Sequence, residues 1–582
     1  MFKLFKGLKE IKGTVILAAV FAVLAQAGSL ILPLFMSAII NNGIANSDLD
    51  YVKNAGIIMM IISGVSVVIS VMNSYFSSRT ATLFSKLLRK RLFIKVESLS
   101  KSDVEKIGTP SLITRCTNDV RIMQDFVLQC LRMIISAPIM LFGGVVMSFI
   151  LNPRLAGIIF ALIPIIGVIV AIVIKTVIPM FRIRQKQLDG INRFIREKLS
   201  GIRVIRAFNK QEFEDEKFEQ KNLDFSALTL KFNRIMAVLI PTCILLVICG
   251  LSALIILAAK NLDSLDVVTQ KAQLLSAIGD LQAFVVYMIM IVFSVVMAAA
   301  MFVIIPRARI SALRINEILD IEATITDPEN AETGKAGMEG TVEFRNVTFA
   351  YENAGAPVLS DISFTAEKGK VTAIIGGTGS GKSSLVGMIP RFFDVTGGAV
   401  LVDGTDVRNY TQEELRSKIG YVPQKACLFS GSIEDNLRFG DEDATEEQMR
   451  KALEISCSSE FVDKLSDGMQ SFISQNANNL SGGQKQRLSI ARALTRKAEI
   501  YIFDDSFSAL DFATDARVRE NLAKNIDATI IIVAQRIGTI LNADKIVVLD
   551  KGKTVGIGRH EELMEICEEY RQIYISQMGG VK

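Results

Sequence analysis

Six stretches in the first half of the chain carry no charged side chain: residues 13–47, 54–78, 133–153, 155–174, 235–259 and 281–306. Each is long enough to cross a hydrocarbon layer about 30 Å thick as a helix rising about 1.5 Å per residue. A soluble domain has no core able to bury six such runs, so this half is read as an all-α polytopic membrane domain with six transmembrane helices. Composition agrees, with 50% apolar residues over 582 positions and a mean hydropathy of +0.38.

The flanking charges set the expected orientation, because Lys and Arg stay on the cytoplasmic side of a span. Lys3, Lys6, Lys9 and Lys12 precede the first run; Arg79, Lys86, Arg89, Lys90 and Arg91 follow the second; Arg182, Arg184 and Lys186 follow the fourth; Arg307 and Arg309 follow the sixth. Both termini are therefore expected inside, with charge-poor outer connections at 41–51, at Asn152 and Pro153, and at 260–280. The net charge of +5 is then a topology signal, and no nucleic-acid partner is implied. Phe2, Phe5, Leu8 and Ile11 alternate with the four lysines, which predicts a short amphipathic helix on the inner membrane surface. Seven cysteines include no CxxC pair, so neither a disulfide framework nor a zinc site is expected.

Between the second and third runs, and between the fourth and fifth, polar and amphipathic sequence continues for about fifty residues without strand alternation, too long for a structureless connection. Long helices reaching into the cytoplasm are predicted, turning back at Gly108, Thr109 and Pro110 and again at Gly201 and near Asn209. The membrane domain is assigned to residues 1–322 and a Gly- and Pro-containing linker to 323–340. From 341 to 582, short Val- and Ile-rich strands alternate with helices, the pattern of a soluble α/β domain.

Inside that domain the strand beginning at Val371 runs into Gly376, Gly377, Thr378, Gly379, Ser380, Gly381, Lys382, Ser383 and Ser384. Strand, glycine loop and helix in that order form a phosphate-binding loop, in which backbone N–H groups and a helix N-terminus converge on an anion. Lys382 is expected to pair with the β- and γ-phosphates of ATP and Ser383 to ligate Mg²⁺. A second apolar strand, Ile500 to Phe503, ends in Asp504, a carboxylate suited to the same Mg²⁺.

Leu480, Ser481, Gly482, Gly483 and Gln484 stand between the phosphate loop and Asp504, and with them the whole chain resembles the ATP-binding cassette (ABC) transporters. Six spans fused to one cassette resemble a half-transporter of the exporter type, and Glu197, Leu199, Gly201, Ile202, Val204, Ile205, Ala207 and Phe208 resemble that family's second intracellular loop. The resemblance implies that Tyr351 stacks on adenine, that Gln424 joins Mg²⁺ to the membrane domain, and that Asp511 is the aspartate of the loop after the Mg²⁺ strand. It further implies that Ser481 to Gln484 close on ATP held by a partner's phosphate loop, so that one chain alone completes no site.

Two departures qualify the resemblance. Where the family places a Glu to orient and deprotonate the attacking water, the chain has Asp505, and where it places a His that senses the γ-phosphate, the chain has Gln535. Asp is shorter by one methylene, about 1.5 Å. Misplacement of that size costs on the order of a hundredfold in rate, and loss of a positioned base roughly 10² to 10⁴. Gln535 donates a hydrogen bond but cannot carry a proton. Gln475 and Asn476 also replace a Glu-Arg pair found before the signature in self-pairing exporters.

The expectation is one subunit of a bacterial exporter of the cell (plasma or inner) membrane, with a degenerate ATP site and an intact signature, working in a lipid bilayer beside a non-identical half-transporter that carries the Glu and the His. Substrates are expected to be amphipathic or hydrophobic small molecules, lipids or peptides; Gln26, Asn73, Gln129, Arg132 and the methionines of the sixth run are cavity candidates. A nucleotide-gated channel or regulator, or an importer, on the same scaffold is the alternative.

Overall fold

The computed structural model describes residues 2–262, 271–351 and 354–578, apart from some side chains within the apolar helices. The chain divides into two compact units, Met1–Ser98 with Ile107–Glu322, and Leu99–Lys106 with Ala323–Lys582.

Among the described residues the first unit is built of helices and turns, with no strand. Helix Lys12–Ala38 passes into a π-helical turn, Ile39–Ile44, and helix Leu49–Glu97 follows, its start fixed by Asp48, whose side chain accepts from the backbone N–H of Asp50 and Tyr51. Its 49 residues extend about 74 Å at about 1.5 Å each, more than twice a hydrocarbon core, so the uncharged part and the basic part are one rod. A return limb from Thr109 to Leu151 is α-helical except for π turns at Arg115–Asp119 and Cys130–Ile134. Helices Pro153–Ser200, Ile202–Ala207, Gln211–Leu262 and Lys271–Leu319 complete the unit. The chain turns at Gly108 (φ +82°), at Gly201, and at Asn209 (φ +50°).

Among the described residues four helical stretches are long and apolar enough to cross a membrane: Lys3–Ile44, Leu49–Glu97, Thr109–Leu151 and Ile278–Ala298. The fourth and fifth expected spans lie in the continuous helices Pro153–Ser200 and Gln211–Leu262, where the described apolar stretches are Leu155–Ile169 and Ile244–Ala253. The expected outer connection at 260–280 falls partly outside the described residues, and its end is already helical from Lys271.

The N-terminal segment differs from a surface helix. It splits into Phe2–Phe5 and a 3₁₀ stretch, Lys6–Ile11. Leu4 and Gly7 are buried, and the Phe5 ring lies 6.3 Å from that of Phe84 and 6.2 Å from that of Phe126. Lys3 pairs with Asp320 at 3.1 Å, and Arg91 pairs with Glu10. On the apolar face that the periodicity assigns to lipid, Phe5, Leu8 and Ile11 are half-buried.

The second unit is built on sheets. Its strands are β1 (Val342–Phe349), β2 (Leu359–Ala366), β3 (Val371–Gly376), β4 (Gly397–Val402), β5 (Thr405–Asp406), β6 (Ile419–Val422), β7 (Gly431–Ser432), β8 (Phe472–Ile473), β9 (Ile500–Asp504), β10 (Thr529–Ala534), β11 (Lys545–Asp550) and β12 (Lys553–Gly558). An antiparallel sheet orders them β2-β1-β4-β5, and a second sheet orders them β12-β11-β3-β10-β9-β6. In the latter β11, β3, β10, β9 and β6 are parallel, and only β12 runs against them. β9 and β10 are buried along their whole length, which explains their unbroken apolar sequence.

Because the strands are parallel, their C-terminal ends share one edge. The register pairs Ile375 with Ala534, Val533 with Asp504, and Val422 with Phe503. The segments after β3, β10, β9 and β6 therefore emerge side by side, where ligands bind in open parallel sheets. The linker is itself attached to this unit: the backbone N–H of Glu332 donates to the carbonyl of Asn409 (2.8 Å), that of Lys335 to Asp403 (2.9 Å), and Asp327 accepts from the Gln412 N–H (3.0 Å).

Candidate nucleotide-binding site

The loop after β3 is shaped by glycines that admit no side chain. A Cβ on Gly376 would lie 2.2 Å from the Leu549 carbonyl oxygen, and Gly381, at φ +93°, would place one 2.6 Å from Leu359. Gly377, Thr378 and Gly379 form the exposed rim, while Ser380 and Lys382 are buried. Helix Lys382–Val386 begins directly after Gly381. Lys382 Nζ donates to the carbonyls of Gly376 and Gly377, at 2.8 Å each, and lies 3.4 Å from Ser380 Oγ. Burial holds this ammonium below its ordinary pKa, against the pull of Asp505 and Asp504.

Asp504, at the end of β9, accepts from Ser383 Oγ at 2.9 Å and from the Tyr421 hydroxyl at 3.3 Å. Burial raises its pKa above the ordinary value of 3.8, and the bonds from Ser383 and Tyr421 oppose that rise. A hydroxyl and a carboxylate this close form half of a hard-oxygen site, to which phosphate oxygens would add the rest, so these residues suit Mg²⁺. Among the described residues no group of three or more His, Cys, Asp or Glu could hold a metal ion without such help.

Asp505 sits in the left-handed region at φ +48°, its backbone N–H bonded to the carbonyl of Val533 at 3.0 Å. Its Oδ2 accepts from two amides, Gln535 Nε2 at 2.7 Å and Gln424 Nε2 at 3.2 Å. Burial is the main influence on its proton affinity and carries the pKa above 3.8, partly offset by Gln424, Lys382, Ser508 and Gln535. These residues line one cavity of about 310 Å³, walled by Thr378, Gly379, Ser380, Gly381, Lys382, Ser383, Ser384, Gln424, Asp505 and Gln535 together with Val358 and Val533.

Tyr351, just beyond β1, is fixed to the same loop by a 2.9 Å hydrogen bond between its hydroxyl and Ser384 Oγ. Its ring meets Phe349 and Phe393 edge-on, at 4.9 Å and 5.5 Å between centroids, and the residue stays 37% exposed, enough to leave ring surface open for stacking.

The remaining candidates lie apart from this cavity. Ser481 is the N-cap of helix Gly482–Thr495 in a capping box, accepting from the Gln484 N–H (3.3 Å) while Gln484 Oε1 accepts from the Ser481 N–H (2.8 Å). Ser481 and Gly482 are exposed, so this helix N-terminus, with Gly483 behind it, faces outward. Asp511 caps helix Phe512–Asn525 through the Thr514 N–H at 3.0 Å, a bond that holds its carboxyl below the ordinary range. Asp511, which the resemblance identifies as the aspartate of the loop after the Mg²⁺ strand, is thus already engaged as a cap. Asn476, at φ +57°, has its carbonyl bonded to Lys485 Nζ at 3.0 Å, joining the segment before the signature to the signature helix.

Three residues escape the sequence reading. Gln486 lies 3.5 Å from the Pro423 carbonyl, joining the signature helix to the residue before Gln424. Arg536 donates to the carbonyls of Leu510 (3.2 Å) and Ser508 (3.1 Å), joining the switch position to the loop after β9. Gln577, near the C-terminus of helix Glu568–Met578, brackets the switch: its Nε2 donates to the Gln535 carbonyl (2.7 Å) and its Oε1 accepts from the Ile537 N–H (2.8 Å). The first two adjoin motif residues in sequence; nothing local marks Gln577.

Comparison with known proteins agrees with this architecture. Residues 15–269 match the ABC transporter transmembrane region, and residues 359–508 match the ABC transporter cassette. An uncharacterized ABC transporter ATP-binding protein of Mycobacterium tuberculosis is 40% identical over 562 residues, covering 95% of each chain. One from Bacillus subtilis is 34% identical, covering 99% of this chain and 98% of its own. A further Bacillus subtilis protein, provisionally named a multidrug export ATP-binding/permease protein, is 31% identical over 86% of this chain and 85% of its own. With a membrane region and a nucleotide cassette joined in one polypeptide, and full-length relatives of the same build, the chain belongs to the ABC transporters as an exporter-type half-transporter.

Proposed function

We propose that this chain is one half of an ATP-driven exporter in a bacterial membrane, that its own phosphate loop grips ATP and hydrolyses it slowly, and that it pairs with a non-identical half-transporter. The observation that carries the reading is the 2.7 Å bond from Gln535 Nε2 to Asp505 Oδ2, with Gln424 on the same oxygen. A general base needs a free lone pair aimed at water. Here two amide donors share one oxygen, Oδ2, of an already short carboxylate, and neither amide can relay a proton.

The grip is supported separately. Lys382 and the loop N–H groups would hold the β- and γ-phosphates, Tyr351 would stack on adenine, and Ser383, Asp504 and the Gln424 carbonyl oxygen would hold Mg²⁺. When bound, Mg²⁺ would neutralise charge on the terminal phosphates. The exposed N-terminus of helix Gly482–Thr495 would face ATP on the partner's loop, with Ser481 and the Gly483 N–H toward its γ-phosphate. Closing two cassettes around two nucleotides would drive the membrane helices from inward to outward access, since nucleotide contacts both chains only in the closed state. Basic flanks favour a cytoplasmic position for both termini and the cassette. Relatives named for multidrug export favour amphipathic or hydrophobic cargo.

The test is ATPase activity of the chain purified alone and together with its co-purifying half-transporter. The self-paired chain should turn over about a hundredfold or more slower than the pair. Asp505→Glu combined with Gln535→His should change the pair's rate only modestly, whereas removing the partner's Glu should abolish it. Fast, Asp505-dependent turnover by the chain alone would refute the assignment.

A further inference from the structure

Arg132 stands in the π turn Cys130–Ile134, a helix irregularity that recurs at functional sites. Its side chain does not extend along the helix toward water. One terminal nitrogen of this half-buried residue donates across to helix Leu49–Glu97, to the Ser74 carbonyl at 3.3 Å and to Ser78 Oγ at 3.2 Å. The Nε–H is buried with no acceptor, and among the described residues no carboxylate lies within ion-pair distance of the guanidinium. Five N–H donors and a full positive charge are thus met by two neutral oxygens.

The surroundings are polar on one side and apolar on the other. Ser77 and Thr80 are fully buried on the same stretch of helix; Ser77 donates to Asn73 Oδ1 at 3.2 Å, and Thr80 Oγ1 has no partner. Met72 and Tyr75, close in sequence to Ser74 on the same helix, and Ile134, two residues after Arg132, are exposed apolar side chains. Ser74 and Ser78 close the uncharged run 54–78, so the guanidinium sits where apolar sequence gives way to basic sequence. An ionisable group at such a boundary, with no counter-charge and fixed by neighbours, suits a ligand of opposite charge. A guanidinium fork suits carboxylate or phosphate oxygens.

We propose that Arg132 is the head-group contact of a binding site for anionic amphiphiles, a phosphate or carboxylate on an apolar chain. That such a molecule is cargo rests on the export reading above; that it binds here does not.

The full chain is purified in a neutral detergent, and bound dodecyl phosphate is counted by native mass spectrometry, with dodecyltrimethylammonium as the matched cation. Dodecyl phosphate should bind and the ammonium should not. Arg132→Gln, which keeps a donor for the Ser74 carbonyl but loses the charge, should weaken binding about tenfold or more, and Arg132→Lys should restore part of it. Arg182→Gln, in the basic flank of helix Pro153–Ser200, is the charge control and should leave binding unchanged. MgATP affinity of the same samples reports folding, so a loss confined to dodecyl phosphate is a loss of the site. Repeating the count after reconstitution with phosphatidylglycerol separates two sources of one head group: Arg132-dependent retention of that lipid assigns the bilayer, and retention of dodecyl phosphate alone assigns a soluble amphiphile. Equal binding of phosphate and ammonium, or binding indifferent to Arg132→Gln, overturns the proposal whether or not the paired transporter moves any compound. Failure of transport with Arg132-dependent binding intact would count against the export reading alone.

Discussion

Asp504 and Asp505 are adjacent and both buried, yet they have different partners. Asp504 faces Ser383 and Tyr421, whereas Asp505 is held by Gln535 and Gln424. The identities of Lys382, Ser383 and Asp504 were legible in sequence because each belongs to a short contiguous motif. The Asp505–Gln535 bond was not, since the partners are 30 positions apart and meet only because β9 and β10 are parallel neighbours. The raised pKa of Asp504 has a sign that can be measured. Its carboxyl takes up a proton at a higher pH than an ordinary aspartate, and the neutral form is a poor Mg²⁺ ligand. Mg²⁺-dependent ATP affinity should therefore begin to fall, as pH is lowered from neutrality, while still above 3.8, and Asp504→Asn should remove both the Mg²⁺ dependence and its pH dependence. Titrations of MgATP and of ATP with chelator across that range check it.

Secondary-structure elements were legible wherever one period or one apolar run ruled a long segment. The breaks at Gly108, Gly201 and Asn209 were readable for the same reason, as turn chemistry between helical patterns. Contacts between distant segments were not. Amphipathicity shows that Phe2–Ile11 has an apolar face but not that Phe84 and Phe126 cover part of it. Composition marks 323–340 as a linker but not its bonds to Asn409 and Asp403. Helix Glu568–Met578 offers a sharper case, because its Gln577 holds the backbone on both sides of the switch position. Gln577→Ala removes two hydrogen bonds, each worth about 1 kcal/mol. It should shorten ATP residence on this chain several-fold with little change in thermal stability, measured by release of a labelled nucleotide alongside a melting curve.

At the level of the assembled transporter, the proposed division between gripping and splitting nucleotide predicts an asymmetric response to mutation. Ser481→Arg would block the helix N-terminus that, in the proposed pairing, faces the partner's nucleotide. ATPase activity of the pair should fall about a hundredfold or more, as when a preorganised donor is lost from a phosphate site. Photolabelling of this chain's own loop by an azido-ATP should persist. Symmetric loss of labelling on both chains would contradict the head-to-tail arrangement.

The shared edge of parallel strands carries a further consequence. Phosphate grip, metal ligation, proton handling and switching are delivered by separate segments after β3, β9, β10 and β6, each rooted in its own rigid rod. Those tips are tied to one another through Asp504 and Asp505, so on the proposed reading a change of side chain at one tip alters the partners of the next while the rods beneath keep their register.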